Sequence, residues 1–108
     1  AQEARQQVVA AEYAEAAVNA LREVEDALIT ERTSLQRLAE LHISFAEVQA
    51  AERLARARFT QGLEPLVTLL ETQRRRRSTE QALPLAKGIL WNARVSLFLA
   101  LGGDWRVI

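Results

Sequence analysis

Cysteine and methionine are absent from this 108-residue chain, and there is one histidine. Without cysteine there is no disulfide, no thiolate nucleophile and no zinc-thiolate site, and one histidine argues against most other metal sites. Apolar runs extend only a few residues, far short of the ~20 that cross a bilayer as a helix. Charge of one sign is also missing in excess, since 14 acidic residues balance 14 basic ones. At 49% hydrophobic residues the chain is too apolar for a disordered tail, and its length allows one domain at most. It begins at Ala1 with no signal peptide or lipid-attachment cysteine, as expected of a processed chain or a piece of a longer one.

Glycine and proline are the most informative absence. Average usage would put about seven of them among residues 1–61, and there are none. Punctuation comes only at Gly62 and Pro65, at Pro84 and Gly88, and at Gly102 and Gly103. This pattern predicts an all-α fold, a long antiparallel helical hairpin. Its parts are a helix from about residue 3 to 60, a tip turn at 61–64, a helix from about 65 to 101, and a C-terminal stop at 102–108. At ~1.5 Å per residue the helices would be roughly 87 and 55 Å long, longer than a compact globule of this mass allows.

What is present supports the hairpin. Steps of three and four from Ala14 reach Ala17, Leu21, Val24, Leu28, Glu31, Leu35, Leu38, His42 and Phe45, a heptad seam. A neighbouring column runs through Ala20, Ala27, Ser34, Leu41, Val48 and Ala55. The stripe is therefore wider than a two-stranded coiled coil needs and rich in small residues, which suits packing on two sides. In the second segment Leu66, Leu69 and Leu70 open a stripe that resumes at Leu83, Leu90, Leu97 and Leu101, with Gln73, Arg76 and Glu80 interrupting it.

The ends carry stop signals. Gly62 can adopt the left-handed conformation that closes a helix, Pro65 suits a first turn, and Glu64 complements the positive end of the next helix dipole. Gly102 repeats the stop after Leu101. Pro84 and Gly88 predict a kink, because an interior proline removes a backbone hydrogen bond. Residues 1–60 hold ten acids and seven bases, and the remainder four and seven, so antiparallel packing sets opposite fields side by side, although screened surface pairs add little apiece.

Residues that could carry chemistry have simpler uses. His42, at a seam position without a second histidine, reads as a half-buried polar residue that helps set register rather than as a ligand. Arg74, Arg75, Arg76 and Arg77 fan around the helix at ~100° per residue and cannot form one basic stripe, and no aromatics interleave with them as nucleic-acid binding would require. Glu23, Glu25 and Asp26 lack a pocket-forming loop and read as a solvated face. Trp91 and Trp105 read as packing residues. No phosphate loop or nucleophile motif occurs, so no enzyme and no cofactor are expected.

Three stretches together resemble a known family. They are Ala20-Leu21-Arg22-Glu23-Val24-Glu25-Asp26-Ala27-Leu28, preceded by Tyr13; Arg58-Phe59-Thr60-Gln61-Gly62 followed by Leu66-Val67-Thr68-Leu69-Leu70-Glu71-Thr72-Gln73-Arg74; and Leu97-Phe98-Leu99-Ala100-Leu101-Gly102-Gly103-Asp104-Trp105. In this order and spacing they resemble the TolC-like outer membrane efflux proteins, particularly the lipoprotein branch that works with resistance-nodulation-division pumps. The resemblance implies a fragment: the last hairpin of a periplasmic α-barrel, in a homotrimer whose β-barrel sits in the outer membrane.

The resemblance further implies a structural part of an efflux duct that exports small molecules in a tripartite multidrug pump. It places Gln61, Gly62 and Leu63 at a tip that meets a periplasmic adaptor protein serving an inner membrane pump. Thr68 and Glu71 fall near the constriction that closes the duct, where three converging carboxylates would favour cations; alternatively, Glu71 pairs with Arg74 or Arg75 on the outer wall. The fragment itself is not expected to insert in the membrane or to bind nucleic acid. Thr68 and Glu71 stand where the family often has aspartates, Arg76 where leucine is usual, Asp104 where glycine is usual, and Pro84 with Gly88 interrupts a stretch usually rich in alanine and leucine. Two other readings of the residues are a stand-alone coiled-coil interaction module and a nucleic-acid-binding hairpin.

Overall fold

The structure is a computed structural model and describes residues 1–102. Gly103, Asp104 and Trp105, which end the third family-like stretch, and the rest of the 103–108 segment lie outside the described residues. Helix α1 spans Gln2–Thr60 and helix α2 spans Leu66–Ala100. The expected all-α antiparallel hairpin is what forms. The chain divides into two compact units, one made of Thr33–Trp91 and the other of Ala1–Arg32 with the chain from Asn92 onward.

Within Thr33–Trp91, one column pair of each helix is covered. On α1 it comprises Ser34, Leu38, Leu41, Phe45, Val48, Glu52 and Ala55, all buried or half-buried in steps of three and four. On α2 it comprises Leu69, Thr72, Arg76, Thr79, Leu83, Ala86 and Leu90, with the same stepping. A strict 3-4 alternation is the geometry by which two helices keep one seam turned toward each other. In the other unit Val24, Ala27 and Glu31 of α1 and Ala93, Leu97 and Ala100 of α2 are the covered positions.

The seam differs from expectation in which columns it uses. The small-residue column through Ala27, Ser34, Leu41, Val48 and Ala55 is inside, together with Val24, Leu38 and Phe45. Leu21, Leu28, Leu35 and His42 form the adjoining column and remain exposed. Small side chains let two backbones approach closely, so Leu21, Leu28 and Leu35 flank the contact instead of filling it. His42 is therefore not the half-buried register residue anticipated. Leu66, Leu70 and Leu101 are likewise exposed in α2, whereas Leu69, Leu83, Leu90 and Leu97 are covered. Trp91, expected to pack, is 62% exposed.

Pro84 does not end α2, which continues through it and through Gly88. Both positions are exposed, so the proline ring lies on the outer surface, and the cost is local to the Glu80 carbonyl, which loses its donor four residues on. Threonines enter the seam because each satisfies its own hydroxyl: Thr72 donates to the Thr68 carbonyl at 2.8 Å and Thr79 to the Arg75 carbonyl at 3.0 Å.

Candidate functional site

The tip is built by two residues in uncommon roles. Gly62 takes φ of 75°, a left-handed conformation that costs an L side chain about 1–2 kcal/mol. With it in place, the Gly62 amide donates to the Phe59 carbonyl at 3.0 Å and the Leu63 amide to the Arg58 carbonyl at 2.8 Å. This is the double closure of a Schellman stop, which satisfies carbonyls that the helix end would otherwise leave open. Across the turn, Arg58 Nε pairs with Glu64 Oε2 at 3.0 Å. Pro65 supplies the carbonyl that accepts the first amides of α2, Thr68 at 3.1 Å and Leu69 at 3.4 Å. Gln61, Gly62 and Leu63 are left exposed at the apex.

One turn into α2, Thr68 is half-buried beside the seam and Glu71 is exposed. The described residues give Glu71 no ion pair within 4 Å, so its pairing with Arg74 or Arg75 is not formed. Of the four successive arginines, Arg76 alone points into the seam. Its Nε pairs with Glu52 Oε2 across the helices and its Nη1 with Glu80 Oε2 at 2.7 Å, while Arg56 Nη2 donates to Glu52 Oε1 at 3.1 Å. A four-residue ionic chain therefore runs Arg56, Glu52, Arg76, Glu80. The Glu52 side chain is 10% exposed, and both of its oxygens are engaged. In the other unit Arg94 Nε donates to Glu31 Oε1 at 3.3 Å.

Glu52 was not singled out by the sequence reading, although it falls seven residues after Phe45 on a seam column. A charged residue at a seam position on each helix was the signal available. Glu23, Glu25 and Asp26 are exposed, and the described residues contain no His, Cys, Asp and Glu cluster able to hold a metal. No helix among the described residues is long and apolar enough to cross a membrane.

A family model described as outer membrane efflux protein matches residues 1–103. The chain belongs to the outer membrane efflux protein family. Proteins of this family are duct components of efflux pumps and not enzymes. Similar curated proteins include two from Pseudomonas putida, the solvent efflux pump outer membrane protein SrpC and the toluene efflux pump outer membrane protein TtgI, each 32% identical over 105 residues, which is 97% of this chain. The pyoverdine export outer membrane protein OpmQ of Pseudomonas aeruginosa is 33% identical over 107 residues. The chain spans 22% of the length of each of these relatives. No solved structure matches it. The TolC-like resemblance is thus borne out.

Proposed function

We propose that this outer membrane efflux protein chain is a periplasmic α-barrel hairpin, a wall segment of a trimeric duct that exports small molecules in a tripartite pump. The observation that carries the reading is how little the hairpin covers of itself. In Thr33–Trp91, α2 exposes Leu85 and Ile89 on one side of its seam and Leu70 and Trp91 on the other. A hairpin that is apolar on both flanks suits a wall of side-by-side helices, with neighbours on each side. The exposed apex, Gln61, Gly62 and Leu63, would meet the periplasmic adaptor, which links the duct to the inner membrane pump. Thr68 and Glu71, in the next turns of α2, would stand near the constriction.

Cysteine placed at Gln61 or Leu63 of the full-length protein should form cross-links to a cysteine-bearing adaptor coexpressed with it, while cysteine at Gln36 on the outer face of α1 should not. Equal cross-linking from all three positions, or none from the tip, would remove the adaptor role. Membrane conductance by the purified full-length protein checks the duct itself.

A further inference from the structure

Residues 53–75, the tip end of the hairpin, are bounded by the ion pair of Glu52 and Arg76. Within them the buried hydrophobic side chains are Ala55 and Leu69, while Phe59, Leu63, Leu66, Val67 and Leu70 are exposed. Burial stabilises in proportion to the apolar area removed from water, and one alanine with one leucine removes little. On the other side of the pair, Leu38, Leu41, Phe45 and Val48 of α1 are half-buried, and Leu83, Ala86 and Leu90 of α2 are buried. The seam therefore changes character at Glu52 and Arg76. Beyond them it is apolar, and toward the tip it is held chiefly by the pair itself, by the Schellman stop and by Arg58 with Glu64.

We propose that residues 53–75 open together while the rest of Thr33–Trp91 stays folded, and that Glu52 and Arg76 are the latch that holds them shut. Parts of a structure with few buried apolar contacts open locally at a smaller free energy than the whole. The pair stands where the two regions meet, so breaking it uncouples the tip end from the apolar seam. Ions can reach it. A groove of about 340 Å³ lined by Gln49, Glu52, Arg53, Arg56 and Arg76 runs alongside, and the Arg76 side chain is 28% exposed. Salt shortens the screening length from about 10 Å at 0.1 M to about 3 Å at 1 M, which weakens the latch and leaves apolar burial in place. A latch made of charge suits an apex that changes shape, because leucine at both positions would close the seam with no charge to release. The opening separates α1 from α2 within one hairpin and does not depend on the duct reading.

The test is amide hydrogen exchange on the full-length protein, read by mass spectrometry of peptides from 53–75 and from 34–50. Raising NaCl from about 0.1 M to about 1 M should speed exchange in 53–75 severalfold and leave 34–50 unchanged. Arg76→Ala should speed exchange in 53–75 by about tenfold or more at both salt concentrations, because Glu52 loses its partner across the seam. Glu52→Leu combined with Arg76→Leu should slow exchange in 53–75 and abolish the salt response, since the charges that cross the seam are gone. Exchange in the wild-type 53–75 segment that ignores salt overturns the latch, as does a salt response that survives in the double leucine variant. Arg76→Ala that accelerates 34–50 as much as 53–75 overturns the separate opening. Should the leucine variant fail to fold, the wild-type salt series and Arg76→Ala decide between these outcomes.

Discussion

Arg76 of α2 and Glu52 of α1 are paired across the hairpin seam, at positions where leucine-sized side chains would otherwise meet. Each also has a partner on its own helix, Glu80 and Arg56 respectively. Exposed ion pairs contribute about 0–1 kcal/mol, whereas removing one member of a buried pair costs about 3–5 kcal/mol because a charge is stranded. With Arg76 28% and Glu52 10% exposed in their side chains, this pair lies between those limits.

Arg76→Ala is therefore expected to destabilise the chain by about 2 kcal/mol in urea denaturation at fixed protein concentration. Replacing Glu52 and Arg76 together by leucine should be neutral or stabilising, because the desolvation penalty disappears with both charges. A double-mutant cycle gives the coupling. Additive single-substitution effects would show that the pair contributes nothing across the seam.

At the tip, Gly62→Ala is expected to cost about 1–2 kcal/mol, since alanine must hold a positive φ. Space is not the cause, because a Cβ at Gly62 would meet nothing within 4 Å. Asparagine tolerates the left-handed region better than alanine, so Gly62→Asn should cost less than Gly62→Ala in thermal denaturation. A β-branched substitute should cost more, and the reverse order would place the penalty elsewhere.

The helix stops were legible because Gly62 and Gly102 are needed for backbone reasons that do not depend on distant partners; both take positive φ. The heptad stepping was legible for the same reason. Which column faces the partner helix was not, since the Leu21, Leu28, Leu35 column and the Ala27, Ser34, Leu41 column are neighbours and both are low in charge. Hydropathy favours burying the leucines, but close approach of two helices favours the small residues. The link between Glu52 and Arg76 depends on the register between segments 24 positions apart in sequence, which no local pattern of charges fixes.

Pro84 and Gly88 weaken α2 at exposed positions where nothing in the hairpin calls for them. A Cβ at Gly88 would have no atom within 4 Å, so Gly88→Ala is expected to stabilise by about 1 kcal/mol through helix propensity. Pro84→Ala restores a donor for the Glu80 carbonyl and should stabilise by up to about 3 kcal/mol. Urea midpoints for the two single variants check both. A loss of stability at Gly88 would show that an unseen neighbour approaches the backbone there.

The isolated 108-residue chain is expected to self-associate. Among the described residues, the hydrophobic side chains that become buried are Ala27, Ala55, Leu69, Leu83, Ala86, Leu90 and Ala93, more than half of them alanine, and none is fully enclosed. Burial of apolar surface stabilises by roughly 25 cal/mol per Å², so a seam of alanine and a few leucines contributes little against the ordering of two long helices. Meanwhile Leu85, Ile89, Leu70 and Trp91 are all about half exposed or more. Covering those flanks with further copies is the available source of stability, and the apparent midpoint should rise with protein concentration. Leu85→Glu combined with Ile89→Glu should reduce association, because like charges would then face one another on one flank, whereas Ile43→Glu on the outer face of α1 should change it less. Multi-angle light scattering distinguishes these outcomes. A well-folded monomer at micromolar concentration, with a midpoint independent of dilution, would mean that the seam alone suffices and that the exposed flanks are not packing surfaces.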